Sequence, residues 1–282
     1  MELTPASTMK LPTIVIEPTK GLFHLDLAAI WQYRELLFLL AWRDIKARYA
    51  QTIFGIAWAI VQPLVTMVVF TVIFSKIARM PSDGLPYPLF AYAALLPWTY
   101  FARSVERSGN SLVSEGNLIK KIYFPRLIIP ISSTMAGLLD FLISFGVFLG
   151  MMGWYGFVPT WNVLILPLFL LLILLTALSV SLWLSSLNTK YRDISYVIPF
   201  LTQFWMYASP VVYPVSVVPE RWRLLYSLNP MVGVIEGFRW ALLGKKGPDL
   251  TVMAVSAVVV PFIFLGGLVY FKRSERTFAD IL

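Results

Sequence analysis

Between Arg126 and Lys190 the chain carries a single charged residue, Asp140. Such a run is too long for one membrane-crossing helix, because about 20 apolar residues already cross a hydrocarbon core of roughly 30 Å. It must fold back as a hairpin of two spans. The break is legible at Gly153-Trp-Tyr-Gly-Phe-Val-Pro-Thr-Trp-Asn162, where Gly, Pro and Asn punctuate the run and the aromatics suit a bilayer interface.

The rest of the chain agrees with that hairpin. Its 282 residues are 58% hydrophobic and 13% charged, and the mean hydropathy of +0.74 is more than a soluble domain of this length could keep from water. A first span lies between Arg48 and Lys76, with its apolar body from Phe54 to Ser75. A second occupies Gly84 to Ala102 and carries Pro86, Pro88 and Pro97. A fifth starts after Asp193 and runs toward Pro210 to Pro214, and a sixth fills Leu250 to Phe271. The expectation is an all-α integral membrane protein whose six transmembrane helices occupy residues 51–272, followed by a short cytoplasmic tail, 273–282.

An even number of spans puts both termini on one side. With the N-terminus inside, 16 of the 23 Lys and Arg residues fall on inner segments, so the positive-inside bias makes the termini cytoplasmic. The net charge of +8 then reflects topology and attraction to anionic headgroups. No basic aromatic module suggests nucleic acid. Residues 1–26 lack a continuous apolar stretch of the kind a cleavable signal peptide needs, so the first span is expected to direct insertion. The absence of cysteine excludes disulfides and thiolate sites.

Two segments are expected to touch the membrane without crossing it. After an irregular leader over residues 1–25, residues 26–50 read as a helix with an apolar centre, Leu36 to Trp42, between charged ends. Seven apolar residues cannot span. The helix lies in the inner interface with Trp31 and Trp42 at headgroup level, or packs as a soluble helix on the membrane domain. The segment from Pro214 to Gly244 is apolar yet lies outside, and Asn229-Pro230 divides it into halves too short to cross. Two re-entrant helices fit this pattern, as does an amphipathic cap lying flat. Glu236 and Arg239, three residues apart, can pair on one helix face.

Catalytic material is scarce. The single histidine, His24, lies in the leader, so no histidine metal site and no Ser-His-Asp arrangement can form within one chain. No phosphate-binding loop of the G-x-x-x-x-G-K-[ST] type exists, since Gly244-Lys245 is followed by Lys246. No cofactor is expected in this chain. Asp140 is a carboxylate deep in a span, which marks either ion coupling or a structural pairing. Gly146 and Gly150 form a small-xxx-small spacing that lets helices approach closely. No internal repeat supports a secondary transporter of inverted halves.

The loop Ser114-Glu-Gly-Asn-Leu-Ile-Lys-Lys-Ile-Tyr-Phe-Pro-Arg126 mixes charges with enough apolar residues to bury in a partner. It reads as a short docking helix ended by Pro125; packing on its own membrane domain would also hide Ile119, Ile122 and Phe124. Gln203, Trp205, Tyr207 and Tyr213 form an aromatic and amide cluster near the fifth span, and Tyr92, Trp98 and Tyr100 form another in the second. Such rings could stack against sugar C–H faces and line a glycan conduit, or could belong to lipid-facing belts.

These residues resemble a known family, the type II ABC exporter permeases for polysaccharides such as O-antigen, capsule and teichoic acid. The resemblance lies in Arg43-Asp-Ile-Lys-Ala-Arg-Tyr49, Gly55-Ile-Ala-Trp58, Gln62-Pro63-Leu64, Asn117 to Arg126 with Pro130, Asn188 to Asp193, Ser209 to Pro214, and Asn229-Pro230 with Arg239. It implies a homodimer of two permease copies enclosing a channel in the bacterial inner membrane, with two separate ATPase subunits that bind ATP and Mg. It also implies that Glu115, Asn117, Lys120, Lys121, Phe124 and Arg126 couple to the ATPase. Re-entrant helices around Asn229, Pro230, Glu236 and Arg239 would cap the outer mouth. The implied substrate is a polysaccharide on an undecaprenyl-type diphosphate lipid, with Lys46, Arg48 and Arg126 as diphosphate contacts. An ABC permease for a small lipid or drug would share this fold; an ion-coupled flippase would instead depend on Asp140.

Overall fold

The computed structural model of the chain describes residues 27–50, 57–244 and 249–281. All regular elements among them are helical. The leader with His24, the start of the first expected span at Phe54, and the loop residues Lys245 and Lys246 lie outside the described residues.

The chain begins with α1 (Leu27–Gln32) and α2 (Arg34–Tyr49), separated by a break at Tyr33. Leu40 and Ala41 of α2 are buried, Leu40 against an apolar cluster with Leu112, Ile119, Phe124 and Ile128. Trp31, Phe38 and Trp42 recur at helical spacing and stay exposed. The helix therefore packs on the bundle along one edge and presents an aromatic ridge along another.

Next come α3 (Ala57–Phe70), which widens into a π-helix over Thr71–Ile77, and the long α4 (Tyr87–Ser114). Pro63 inside α3 has no N–H to offer the carbonyl of Ala59. Ser144 Oγ donates to that carbonyl instead, at 3.1 Å. The short α5 (Gly116–Lys121) leads through an extended stretch to α6 (Ile128–Ala136) and α7 (Leu138–Trp154), which join at Gly137. The hairpin turns at the expected punctuation: Gly156 has a φ of +68°, and a 3₁₀ turn, Trp161–Ile165, opens α8 (Leu166–Lys190). After α9 (Ile194–Tyr207) the chain forms α10 (Glu220–Tyr226), α11 (Pro230–Leu243), α12 (Leu250–Glu275) and α13 (Phe278–Ile281).

Among the described residues, four stretches are long and apolar enough to cross a membrane: Ala57–Ile77, Ile128–Trp154, Trp161–Lys190 and Leu250–Glu275. They match the first, third, fourth and sixth expected spans. The other two expected spans behave differently. α4, with 28 residues, is about 42 Å long at 1.5 Å per residue, but its Tyr, Trp and Pro residues dilute its apolarity. It does not need to be apolar toward lipid, because Leu89 to Trp98 are all buried by neighbouring helices. Its polar groups find partners inside the bundle: Tyr87 donates to Val212 O at 2.8 Å, Tyr100 to Thr134 O at 3.0 Å and Ser108 to Pro130 O at 3.1 Å. Close approach rests on small residues, since a Cβ on Gly109 would stand 2.7 Å from Ile198 Cδ1.

The fifth expected span is a 14-residue helix, α9, about 21 Å long, which is short of a full crossing. It stops at Tyr207, and the chain turns through residues 208–214 rather than continuing as a helix toward Pro214. α11 is buried on nearly every face, against α12, α4 and α8, and is not a flat cap. The expected tail also folds back: α12 runs on to Glu275, and Phe278 of α13 is buried edge-on to Phe271 at 5.4 Å.

Candidate functional site

Ion pairs collect at the end of the bundle where α2, the second half of α4 and the start of α7 meet. Asp140 on α7 is their centre. Its Oδ2 lies 2.5 Å from Arg48 Nη1, 3.4 Å from Arg107 Nη2 and 3.7 Å from Arg103 Nη1. Tyr49 Oη donates to Asp140 Oδ1. Arg103 and Arg107 sit four residues apart on α4, which places both guanidinium groups on one face. Arg103 also donates to Gln62 Oε1 at 2.6 Å. The Asp140 side chain is only 7% exposed, while those of Arg48, Arg103 and Arg107 are 21%, 23% and 33% exposed.

Together with Trp58, Ala59 and Gln62 these residues line a cleft of about 230 Å³. Three guanidinium groups face one carboxylate, so the wall carries a surplus of two positive charges. A partly enclosed, cationic wall with fork-shaped donors can bind an oxyanion such as phosphate. Of the three expected diphosphate contacts, Arg48 alone lines this cleft. Lys46 is exposed and outside it. Arg126 is engaged with Glu275, whose Oε1 accepts from its backbone N–H at 3.3 Å and whose carbonyl accepts from its guanidinium. Sequence reasoning counted Arg103 and Arg107 only toward orientation; their i, i+4 spacing was the available signal.

The expected docking loop lies at the same end. Glu115 is tied to α2 by a bidentate pair with Arg43, at 2.5 and 3.1 Å. Ile119 and Phe124 are buried in the chain's own apolar cluster, so both anchor the loop on the bundle. Asn117, Lys120, Lys121, Ile122 and Tyr123 are exposed. The loop is thus pinned at both ends, through Glu115 and Arg126, with a mixed basic and apolar tip between.

The expected glycan-facing residues separate into two groups. Tyr92, Trp98 and Tyr100 are fully enclosed in the core of a single chain, with Tyr92 stacked on Phe148 at 5.9 Å, and they present no face to a conduit. The cause of their burial is the central position of α4. On α9, Gln203 and Tyr207 are exposed. They belong to a longer stripe that the sequence reading missed, in which Tyr196, Phe200, Phe204 and Tyr207 are 82%, 70%, 67% and 54% exposed. Their spacing of four, four and three residues puts all four on one helix face.

Trp205 points the other way, donating to Asn229 Oδ1 at 2.9 Å. Asn229 Oδ1 also caps α11 by accepting from the N–H of Met231 at 3.0 Å, and its amide donates to Ala208 O and Ser209 Oγ. Pro230 follows at the first helical position, where its missing N–H costs nothing. Glu236 and Arg239 pair at 3.0 Å as their spacing predicts. Arg239 is buried with its guanidinium 3.6 Å from the Phe90 ring centre, and it donates to Val211 O at 2.8 Å. Tyr213 accepts a hydrogen bond from Tyr226 at 3.1 Å and donates to Tyr207 O.

Residues 35–243 match the family described as ABC-2 type transporter. The chain is 30% identical over 251 residues to the O-antigen export system permease protein RfbA of Myxococcus xanthus, covering 88% of this chain and 95% of that protein. It is 27% identical over 256 residues to a protein of the same description from Klebsiella pneumoniae, with the same coverage. It is also 26% identical over 251 residues to the polysialic acid transport protein KpsM of Escherichia coli, covering 86% of this chain and 93% of that one.

Proposed function

Because the chain belongs to the ABC-2 type transporter family, we propose that it is the membrane-spanning permease of an ATP-driven exporter for a lipid-linked polysaccharide. The observation that carries this reading is end-to-end similarity to a permease named for O-antigen export, over 95% of that protein's length. Two copies of the chain enclose the path. Separate ATPase subunits bind ATP and Mg and engage the tip formed by Asn117, Lys120, Lys121, Ile122 and Tyr123. The four apolar stretches, α4, and α9 continued by the turn at residues 208–214 make six passes in this reading, and the distribution of Lys and Arg supports cytoplasmic termini. α10 and α11, joined at Asn229-Pro230, form the outer cap.

The exposed stripe Tyr196, Phe200, Gln203, Phe204 and Tyr207 supports the choice of a glycan. Rings arrayed along one face with an amide among them offer many weak, exchangeable contacts to sugar C–H surfaces and hydroxyls, which suits passage of a long polymer. The ion-coupled alternative loses its support at Asp140, whose carboxylate is engaged by Arg48, Arg103, Arg107 and Tyr49.

A strain lacking this gene should lose its surface polysaccharide and retain the polymer inside, with the native gene restoring export. A variant carrying Phe200→Ala, Gln203→Ala and Tyr207→Ala should reach the membrane normally and restore less than a tenth of surface polymer. Undiminished surface polysaccharide in the deletion strain would refute the assignment; full rescue by the triple variant would return the stripe to lipid.

A further inference from the structure

We propose that the cleft between α10 and α12 is a binding site for an anionic phospholipid of the outer leaflet, with one acyl chain in the cleft and the headgroup phosphate on Arg221 and Arg223. The choice of leaflet rests on the topology given above; the site itself rests on geometry.

Three observations carry it. First, a cleft of about 530 Å³ opens between the end of α9, α10 and α12, with Trp205, Ala208, Val218, Trp222, Leu225 and Ile263 giving it a mainly apolar wall. Its size falls within the roughly 300–1,000 Å³ of clefts that hold small ligands. Second, the polar side chains of the wall are already engaged. Trp205 Nε1 donates to Asn229 Oδ1, the Asn229 amide donates to Ala208 O and Ser209 Oγ, and Tyr226 Oη donates to Tyr213 Oη. A sugar entering here would give up hydrogen bonds to water and find few in return, whereas a hydrocarbon chain gives up none. Third, α10 is ordered along its length like a lipid. Glu220, Arg221 and Arg223 fall within its first four residues, and exposed Leu224, Leu225 and Leu228 follow. The Arg221 guanidinium lies 5.9 Å from the Trp222 ring centre, and Arg223 Nε donates to Val218 O at 3.0 Å, so both arginines stand beside residues that line the cleft.

The chain itself leaves α10 uncovered. None of its seven residues is buried, and a helix that short has little stability of its own. Its surroundings are those of a lipid face: Ile263 lies about 20 Å along α12 from Leu250 at 1.5 Å per residue, and Val258, Phe262 and Leu265 of the same helix are exposed. The cleft therefore opens toward hydrocarbon, where acyl chains are the solvent. Two arginines against Glu220 leave α10 a surplus of one positive charge, which one phosphodiester neutralises. Guanidinium forks match a pair of phosphate oxygens. The bound chain supplies the packing that α10 lacks and braces it against α12. No covalent step is involved.

The test uses the full-length chain in nanodiscs, with phosphatidylglycerol or phosphatidylcholine brominated on one acyl chain as the quencher. Trp205 is half-buried and lines the cleft, so its emission, taken as wild type minus Trp205→Phe, reports a chain that has entered. It should fall saturably with brominated phosphatidylglycerol, and half-quenching should need about threefold less of it than of phosphatidylcholine. Ala208→Phe, which fills the cleft, should abolish this quenching, and Arg221→Gln should remove most of the preference between the two lipids. Should Trp205→Phe fail to fold, native mass spectrometry counts retained phosphatidylglycerol, and Ala208→Phe and Ile263→Trp should each lower the count. Trp205 emission untouched by either lipid, or an undiminished count in both filled variants, overturns the proposal. Equal quenching by the two lipids overturns the headgroup assignment. Quenching that disappears when two chains share a nanodisc gives the cleft to a second copy and overturns the lipid. Because the chain has no cysteine, Arg221→Cys offers a single thiol, which an impermeant maleimide should label from outside right-side-out vesicles; labelling from inside alone would overturn the leaflet and the topology. Quenching needs neither ATPase nor polysaccharide. A chain that holds lipid but exports no glycan would refute the export reading alone, whereas an exporting chain with unquenched Trp205 would refute this site alone.

Discussion

Arg239→Ala should lower the stability of the chain by about 3 kcal/mol. The arginine is 5% exposed and joins three segments: α11 through Glu236, α4 through Phe90, and the turn 208–214 through Val211. Losing it strips the Val211 carbonyl of a 2.8 Å donor, and an unsatisfied buried carbonyl costs about 1–3 kcal/mol. The stack on Phe90 at 3.6 Å adds up to about 2 kcal/mol for a desolvated pair. The Glu236 pair adds less, because Glu236 remains 25% exposed. Release of a guanidinium from its buried setting offsets part of this sum. For a chain of this size, about 3 kcal/mol corresponds to a fall of roughly 6–12 °C in unfolding temperature. The measurement is thermal unfolding of the purified protein in detergent, with Glu236→Gln and the double variant completing a cycle. Arg239→Lys should recover less than half of the loss, since an ammonium cannot reach Val211, Phe90 and Glu236 as a planar fork can. A shift under about 2 °C for Arg239→Ala would refute the idea that this residue holds the turn against α4.

Asn229→Ala removes the cap of α11 together with the acceptor for Trp205; a loss of about 1–2 kcal/mol is expected, checked by chemical denaturation and by a change in Trp205 emission against a Trp205→Phe control. Reversing charge at Lys120 and Lys121 should leave the fold intact, as both are exposed. In a reconstituted complex it should uncouple ATP hydrolysis from export, and unchanged export would count against the docking role.

What was legible in the sequence was whatever local spacing or length decides. The hairpin between Arg126 and Lys190, the turn near Gly156, the short helix after Ser114 and the Glu236–Arg239 pair all follow from elements a few residues long. The candidate site was only half legible. Asp140 stood out as a charge in an apolar run, but its partners Arg48 and Arg107 lie 92 and 33 residues away in sequence. Phe124 and Ile119 looked like docking residues because a short mixed loop does not reveal which of its apolar groups the parent domain has already taken.

Length and apolarity by themselves determined that the chain lives in a membrane and where it folds back, because covering about 30 Å of hydrocarbon leaves few alternatives. Only the tertiary structure decided which apolar faces pack inside the chain and which stay exposed. Apolar residues suit either setting, so nothing in composition separates Tyr92, enclosed at the centre of α4, from Tyr196, exposed on α9. The same holds for the arginines. Their number follows from topology, but their convergence on Asp140 required three helices to bring distant residues within a few ångströms of one carboxylate.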